Sequence, residues 1–135
     1  IQDRVYFHDY VKPYINNEDI VYVGNSGPKE RLALLSRACA LLHPIRFPEP
    51  FGLSVVEAMA CGTPVVAFNL GSMPELVIHE KTGFLVSTIN EAVEAVKNID
   101  SINRNKCTEW VSSMFSRQKM VESYLDVYKK ILGVK

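Results

Sequence analysis

Four short apolar runs, each cut off by turn residues and separated by stretches of helical spacing, confine this chain to a parallel sheet covered by helices. The runs are Ile20-Val21-Tyr22-Val23, Ala40-Leu41-Leu42, Pro64-Val65-Val66-Ala67-Phe68 and Phe84-Leu85-Val86. They stop at Gly24, at His43-Pro44 and at Asn69-Leu70-Gly71-Ser72, and Lys81-Thr82-Gly83 turns into the fourth. Continuous apolarity without alternation is what a strand shows when both of its faces are buried. Between the runs, Pro28 is placed to open a helix, and Leu53–Ala60 and Pro74–Ile78 read as helix. About four parallel strands flanked by helices is therefore the expected fold class, α/β and Rossmann-like.

The tail is helical, with segments at Glu91–Ile99, Arg104–Met114 and Arg117–Leu132. In the last, Met120, Val121, Tyr124, Leu125, Tyr128, Ile131 and Leu132 form one apolar stripe, with Ser116 as its cap. Core packing is the expected use of that stripe, and a partner-binding face is the alternative. Phe7, Tyr10, Val11, Tyr14 and Ile15 also recur at helical spacing, although Pro13 interrupts them.

At 135 residues, with 47% hydrophobic, the chain suits one compact domain with a continuous core. Fifteen basic and 15 acidic residues balance to zero net charge, which gives no electrostatic reason to expect nucleic acid or an anionic membrane as partner. Cys39, Cys61 and Cys107 form no CxxC pair or Cys/His cluster, so buried, reduced thiols are expected and no metal is. No apolar run of about 20 residues and no signal-peptide pattern occurs, which predicts a cytoplasmic protein, with peripheral membrane association left open for the full-length form. The chain opens at Ile1 without a Met, which is read as truncation at the N-terminus.

The stretch from Pro44 to Pro64 carries the chemistry. It leaves the carboxyl end of a predicted strand, where ligands bind in open α/β sheets, and crosses a Pro/Gly loop into a helix. Glu49 stands between Pro48 and Pro50, which stiffen it, and such a carboxylate offers two fixed acceptors to sugar hydroxyls. Gly52 permits close approach of a ligand to the main chain. The N–H groups of Phe51, Gly52, Leu53 and Ser54 lie at the helix start, a place that favours phosphate. Glu57 follows about one turn into the helix. Taken alone, Ser54-Val55-Val56-Glu57 also fits a capping box, and Glu49 also fits a solvated loop charge.

The run Glu49-Pro50-Phe51-Gly52-Leu53-Ser54-Val55-Val56-Glu57 closely resembles the glutamate–seven residues–glutamate signature of the group 1 (family 4) retaining glycosyltransferases of GT-B fold. The likeness continues through Ala58-Met59-Ala60-Cys61-Gly62-Thr63-Pro64-Val65-Val66-Ala67, Gly71-Ser72-Met73-Pro74-Glu75 and Thr82-Gly83-Phe84-Leu85-Val86. It implies that residues 1–135 are the nucleotide-sugar-binding domain, without the acceptor-binding domain. On that resemblance Glu49 holds the donor sugar as the catalytic-site residue, aided by the N–H groups of Phe51 and Gly52. Leu53 and Ser54 face the diphosphate, Glu57 takes the ribose, and Gly24 and Asn25 lie where the base is held.

The implied donor is a UDP-, GDP- or ADP-sugar, with no further cofactor and no metal requirement. The implied acceptor is a glycan or lipid-linked saccharide, bound through the absent domain. The family's basic pair for the diphosphate has no counterpart here, since Arg4, Lys29 and Arg46 occupy other positions. This segment by itself is therefore expected to be inactive and to bind nucleotide sugars poorly. A non-catalytic nucleotide- or sugar-phosphate-binding module is a second reading, and a GT-B sugar-nucleotide epimerase a third, which the Glu49–Glu57 run argues against.

Overall fold

The computed structural model describes residues 3–134, which divide into two compact units at Arg31/Leu32. The first unit begins with helix in three forms: an α-turn at Arg4–Tyr6 (α1), a π segment at Phe7–Val11 and a 3-10 turn at Lys12–Tyr14. Pro13 accounts for the change of form. It has no N–H to give the carbonyl four residues back, and its ring crowds that carbonyl, so the winding widens just before it. The Lys12 N–H accordingly reaches the Phe7 carbonyl.

Ile20–Val23, expected as the first strand, forms none, and all four side chains are exposed. A β-rich run becomes a strand only when a neighbour completes its ladder. Among the described residues none pairs with it. Among the described residues the strands number three, where about four were expected.

The second unit holds those three. After α2 (Pro28–Arg37), which crosses from the first unit, come β1 (Leu41–His43), α3 (Leu53–Ala60), β2 (Val65–Phe68), α4 (Met73–Leu76) and β3 (Gly83–Val86). The tail then adds α5 (Ile89–Lys97), α6 (Arg104–Met114) and α7 (Arg117–Leu132). The sheet runs β1-β2-β3, parallel throughout, with Leu41 opposite Val65 and Val65 opposite Gly83. Every residue of the central strand β2 is buried, which explains its unbroken apolar sequence.

α3 packs on β1, β2 and α6, while α5 packs on β2 and β3. Between them lies a core built around Val55, Met59, Val65, Met73, Leu76 and Cys107. Arg104, at the start of α6, ties that helix to the α2–β1 connection: its guanidinium donates to the Ala38 carbonyl (2.7 Å), the Ser36 carbonyl (2.9 Å) and Thr63 Oγ1 (3.0 Å).

α5 starts two residues before the expected Glu91. Thr88 Oγ1 accepts the Glu91 N–H and the Glu91 carboxylate accepts the Ser87 N–H, a reciprocal cap that fixes the start at Ile89. Two other expectations fail. Of the cysteines Cys107 is buried and Cys61 partly so, but Cys39, in the turn ahead of β1, is exposed. Burial pushes the Cys107 thiol up to about 11, so it stays protonated, and its S–H faces the Thr82 carbonyl. The α7 helix has its predicted bounds and its Ser116 cap, yet no residue of it is buried, and Tyr124 and Leu125 are 58% and 50% exposed. Its apolar stripe is not part of this chain's core.

Candidate functional site

The loop that leaves β1 and enters α3 brings Glu49, Phe51, Gly52, Leu53 and Ser54 together at the carboxyl end of the sheet. Gly52 is the N-cap of α3, with φ +91°, a left-handed conformation that glycine adopts without strain. No side chain caps this helix. Leu53 and Ser54 are its first two residues, so their N–H groups have no partner within the helix. The Val55 N–H already bonds back to the Gly52 carbonyl. The first turn thus presents main-chain donors and the positive end of the helix dipole without a side chain of its own in front of them.

This geometry removes the capping-box alternative for Glu57. Ser54 sits at the second helical position rather than at the N-cap, so the Ser54–Glu57 spacing does not span the helix start. Glu57 lies further into α3 and is half-buried.

Gly52 also lies tightly against the protein's own side chains. A Cβ built on it would stand 2.8 Å from Met73 Cε, 3.3 Å from Leu76 Cδ1 and 3.6 Å from Glu49 Cγ. The glycine lets the loop press on the protein's own core, next to the Glu49 side chain.

Glu49 is half-buried, and among the described residues its carboxylate makes no hydrogen bond or ion pair. Its main chain, by contrast, is fixed: its carbonyl accepts the Ser72 N–H at 2.9 Å. Phe51 is anchored too, its carbonyl accepting the Ser72 hydroxyl at 2.7 Å. The Phe51 ring meets Phe115 edge-on at 6.2 Å, and Phe115 meets Trp110 at 5.9 Å. Trp110 Nε1 in turn donates to the Leu76 carbonyl at 2.7 Å. Phe115 and Trp110 were not marked by the sequence, and Ser72 appeared only within the Gly71–Glu75 stretch of family likeness, without a role. They lie 20 or more residues from the loop they hold, so no local pattern shows what they do there.

Gly24 and Asn25 belong to the first unit, where both are exposed in the turn ahead of α2. The strand expected to end at Gly24 is not formed.

A cavity of about 370 Å³ opens beyond the carboxyl ends of β2 and β3, lined by Arg46, Phe68, Asn69, Leu70, Val86, Ser87 and Thr88. The Arg46 guanidinium lies over the Phe68 ring at 5.8 Å. None of Glu49, Phe51–Ser54 or Glu57 lines this cavity. Among the described residues no group of three or more His, Cys, Asp or Glu is placed to hold a metal ion, and no helix is long and apolar enough to cross a membrane.

His43, the last residue of β1, is 7% exposed, and its Nε2 meets no partner among the described residues. Burial pushes its pKa below the ordinary 6.5, with the Glu49 carboxylate pulling partly back. The unfolded chain therefore takes up a proton near 6.5 that the folded chain accepts only at lower pH. Stability from this group is complete above that value and declines as pH falls through the window below it. His43→Leu should flatten that part of the slope, checked by urea unfolding at about pH 7.5 and about pH 5.5. An unchanged difference between the two would remove His43 from the acid sensitivity.

Residues 2–122 match the family described as Glycosyl transferases group 1. A Klebsiella pneumoniae protein, described as an uncharacterized 41.2 kDa protein in the cps region, is 37% identical over 122 residues, covering 85% of this chain and 34% of that protein. The N-acetyl-alpha-D-glucosaminyl L-malate synthase of Bacillus anthracis is 30% identical over 115 residues, covering 78% of this chain and 30% of that protein. Among solved structures, the sucrose-phosphate synthase of Thermosynechococcus elongatus superposes with a TM-score of 0.80 at 27% identity, covering 98% of this chain and 35% of the other. A parallel α/β sheet with a loop and helix start at its carboxyl end, matched along nearly its whole length, defines a glycosyltransferase domain of GT-B type. The chain belongs to the group 1 glycosyltransferases. It spans about a third of the length of the relatives it matches.

Proposed function

We propose that this chain binds the nucleotide-sugar donor of a retaining glycosyltransferase. One observation carries the reading: a carboxylate that makes no hydrogen bond or ion pair among the described residues, Glu49, stands beside a helix N-terminus that no side chain caps. The two features suit the two ends of such a donor. A fixed carboxylate accepts hydrogen bonds from sugar hydroxyls, and open main-chain N–H groups donate to the oxygens of a diphosphate.

In this reading Glu49 orients the sugar, with the N–H groups of Phe51 and Gly52. Leu53 and Ser54 face the diphosphate, and Glu57 takes the ribose hydroxyls. Gly24 and Asn25 are assigned to the base on family resemblance alone. As the glycosidic bond to the nucleotide breaks, positive charge develops at the anomeric carbon and negative charge on the departing diphosphate. The α3 dipole opposes the second of these, while Glu49 holds the sugar in position for the acceptor. The donor is a UDP-, GDP- or ADP-sugar, no further cofactor is needed, and the acceptor is a glycan or lipid-linked saccharide held outside this segment.

The test is calorimetric titration of the whole protein with UDP-, GDP- and ADP-sugars, followed by assay for release of the nucleoside diphosphate. Binding of one donor with release supports the enzyme. Binding without release, whatever acceptor is offered, would favour a non-catalytic binding module. No binding of any donor overturns the reading. Glu57→Gln keeps shape and removes charge. It should weaken nucleotide affinity by about 1–2 kcal/mol, the scale of a charge-assisted hydrogen bond. A fallen Tm with unchanged affinity would make Glu57 a structural residue.

A further inference from the structure

We propose that Ser72, in the turn after β2, is a positioning residue for the donor loop, acting through the main chain of Glu49 and Phe51; the inference rests on the donor-site reading of Glu49. Ser72 is 8% exposed and makes two hydrogen bonds to that loop from one residue. Its N–H donates to the Glu49 carbonyl at 2.9 Å and its Oγ to the Phe51 carbonyl at 2.7 Å. The two carbonyls flank Pro50, so together they fix the loop on both sides of the proline and with it the direction in which Glu49 leaves the backbone.

The approach is closer than side chains alone allow. A Cβ on Gly71 would lie 2.5 Å from the Glu49 N, 2.6 Å from the Glu49 carbonyl oxygen and 2.7 Å from the Pro48 carbonyl carbon. Gly71 also has φ +57°. Backbone therefore rests directly on backbone here, and Ser72 fastens the contact. The Glu49 side chain has no bond of its own to hold it, so its aim depends on this main-chain support. Loss of the hydroxyl frees the Phe51 side of the loop while the N–H bond to Glu49 remains, so the variant loosens the loop without removing it.

The experiment compares Ser72→Ala, Glu49→Ala and the double variant in the whole protein. Its readouts are kcat, and Kd for whichever of UDP, GDP and ADP binds the parent. Ser72→Ala should lower kcat about tenfold, since misplacement of a reacting group by a fraction of an ångström is felt directly in turnover. Nucleoside diphosphate Kd should stay within about twofold, because that ligand has no sugar for Glu49 to orient. The double variant should be no slower than Glu49→Ala alone, since a residue that works through Glu49 has nothing left to position. Ser72→Cys, close in size and a weaker donor, reports the same loss if Ser72→Ala does not fold. Normal turnover in both Ser72 variants beside a crippled Glu49→Ala would overturn the positioning role and leave the donor site standing. Losses that multiply in the double variant would overturn it too. Normal turnover in Glu49→Ala would sink the donor-site reading itself.

Discussion

Glu49→Ala in the whole protein is expected to lower kcat/KM by about two orders of magnitude or more, roughly 3 kcal/mol of transition-state stabilisation. The expectation follows from the carboxylate's setting. It is held on a loop fixed at its main chain, yet bonded to nothing among the described residues. For the same reason the variant should melt close to the parent, since the truncation breaks no hydrogen bond or ion pair among the described residues. Steady-state kinetics beside a thermal melt checks both halves. Near-normal turnover would take Glu49 out of the donor-sugar role.

The largest expected effect on stability lies at Gly83, the first residue of β3. A Cβ there would stand 2.1 Å from the Val65 carbonyl oxygen, 2.8 Å from its N and 2.9 Å from its carbonyl carbon. These are main-chain atoms of the central strand, which cannot swing aside as a side chain can. Gly83→Ala must therefore push β3 away from β2 or distort its pairing. That should cost about 3 kcal/mol, the upper end of ordinary overpacking. Tm should fall by upwards of about 10 °C, read by calorimetry. A melt within a degree or two of the parent would mean that the strands separate more easily than this contact indicates.

Much of this fold could be read from local pattern. β2 announced itself as an unbroken apolar run because both of its faces are covered, and α6 and α7 kept their predicted bounds because caps and periodicity are local. Ile20–Val23 failed for the opposite reason. β-branched composition records a preference, while a strand also requires a neighbour, and pairing is not written in the run itself. The α7 stripe failed similarly, since amphipathicity tells that a face is apolar without saying where its cover is.

At the site, Glu49 and the uncapped start of α3 were visible as a motif. The support that Ser72 gives the loop, through two bonds spanning 21 and 23 residues, was not. The packing of Gly52 on Met73 and Leu76 was not legible, because its Cβ direction is fixed by a left-handed φ that sequence does not show. The capping box at Ser54 was a coincidence of spacing, displaced when the glycine became the N-cap.

The Gly71–Glu49 backbone contact bears on the energetics of each catalytic cycle. Ordering a flexible loop when a ligand arrives costs on the order of 1–2 kcal/mol per residue, and this is subtracted from affinity every time the ligand binds. Pro48–Gly52 is instead ordered during folding, between two prolines and against another strand's turn. Its backbone entropy is surrendered once, when the chain folds, so donor association is left to order side chains such as that of Glu49 and not the loop itself.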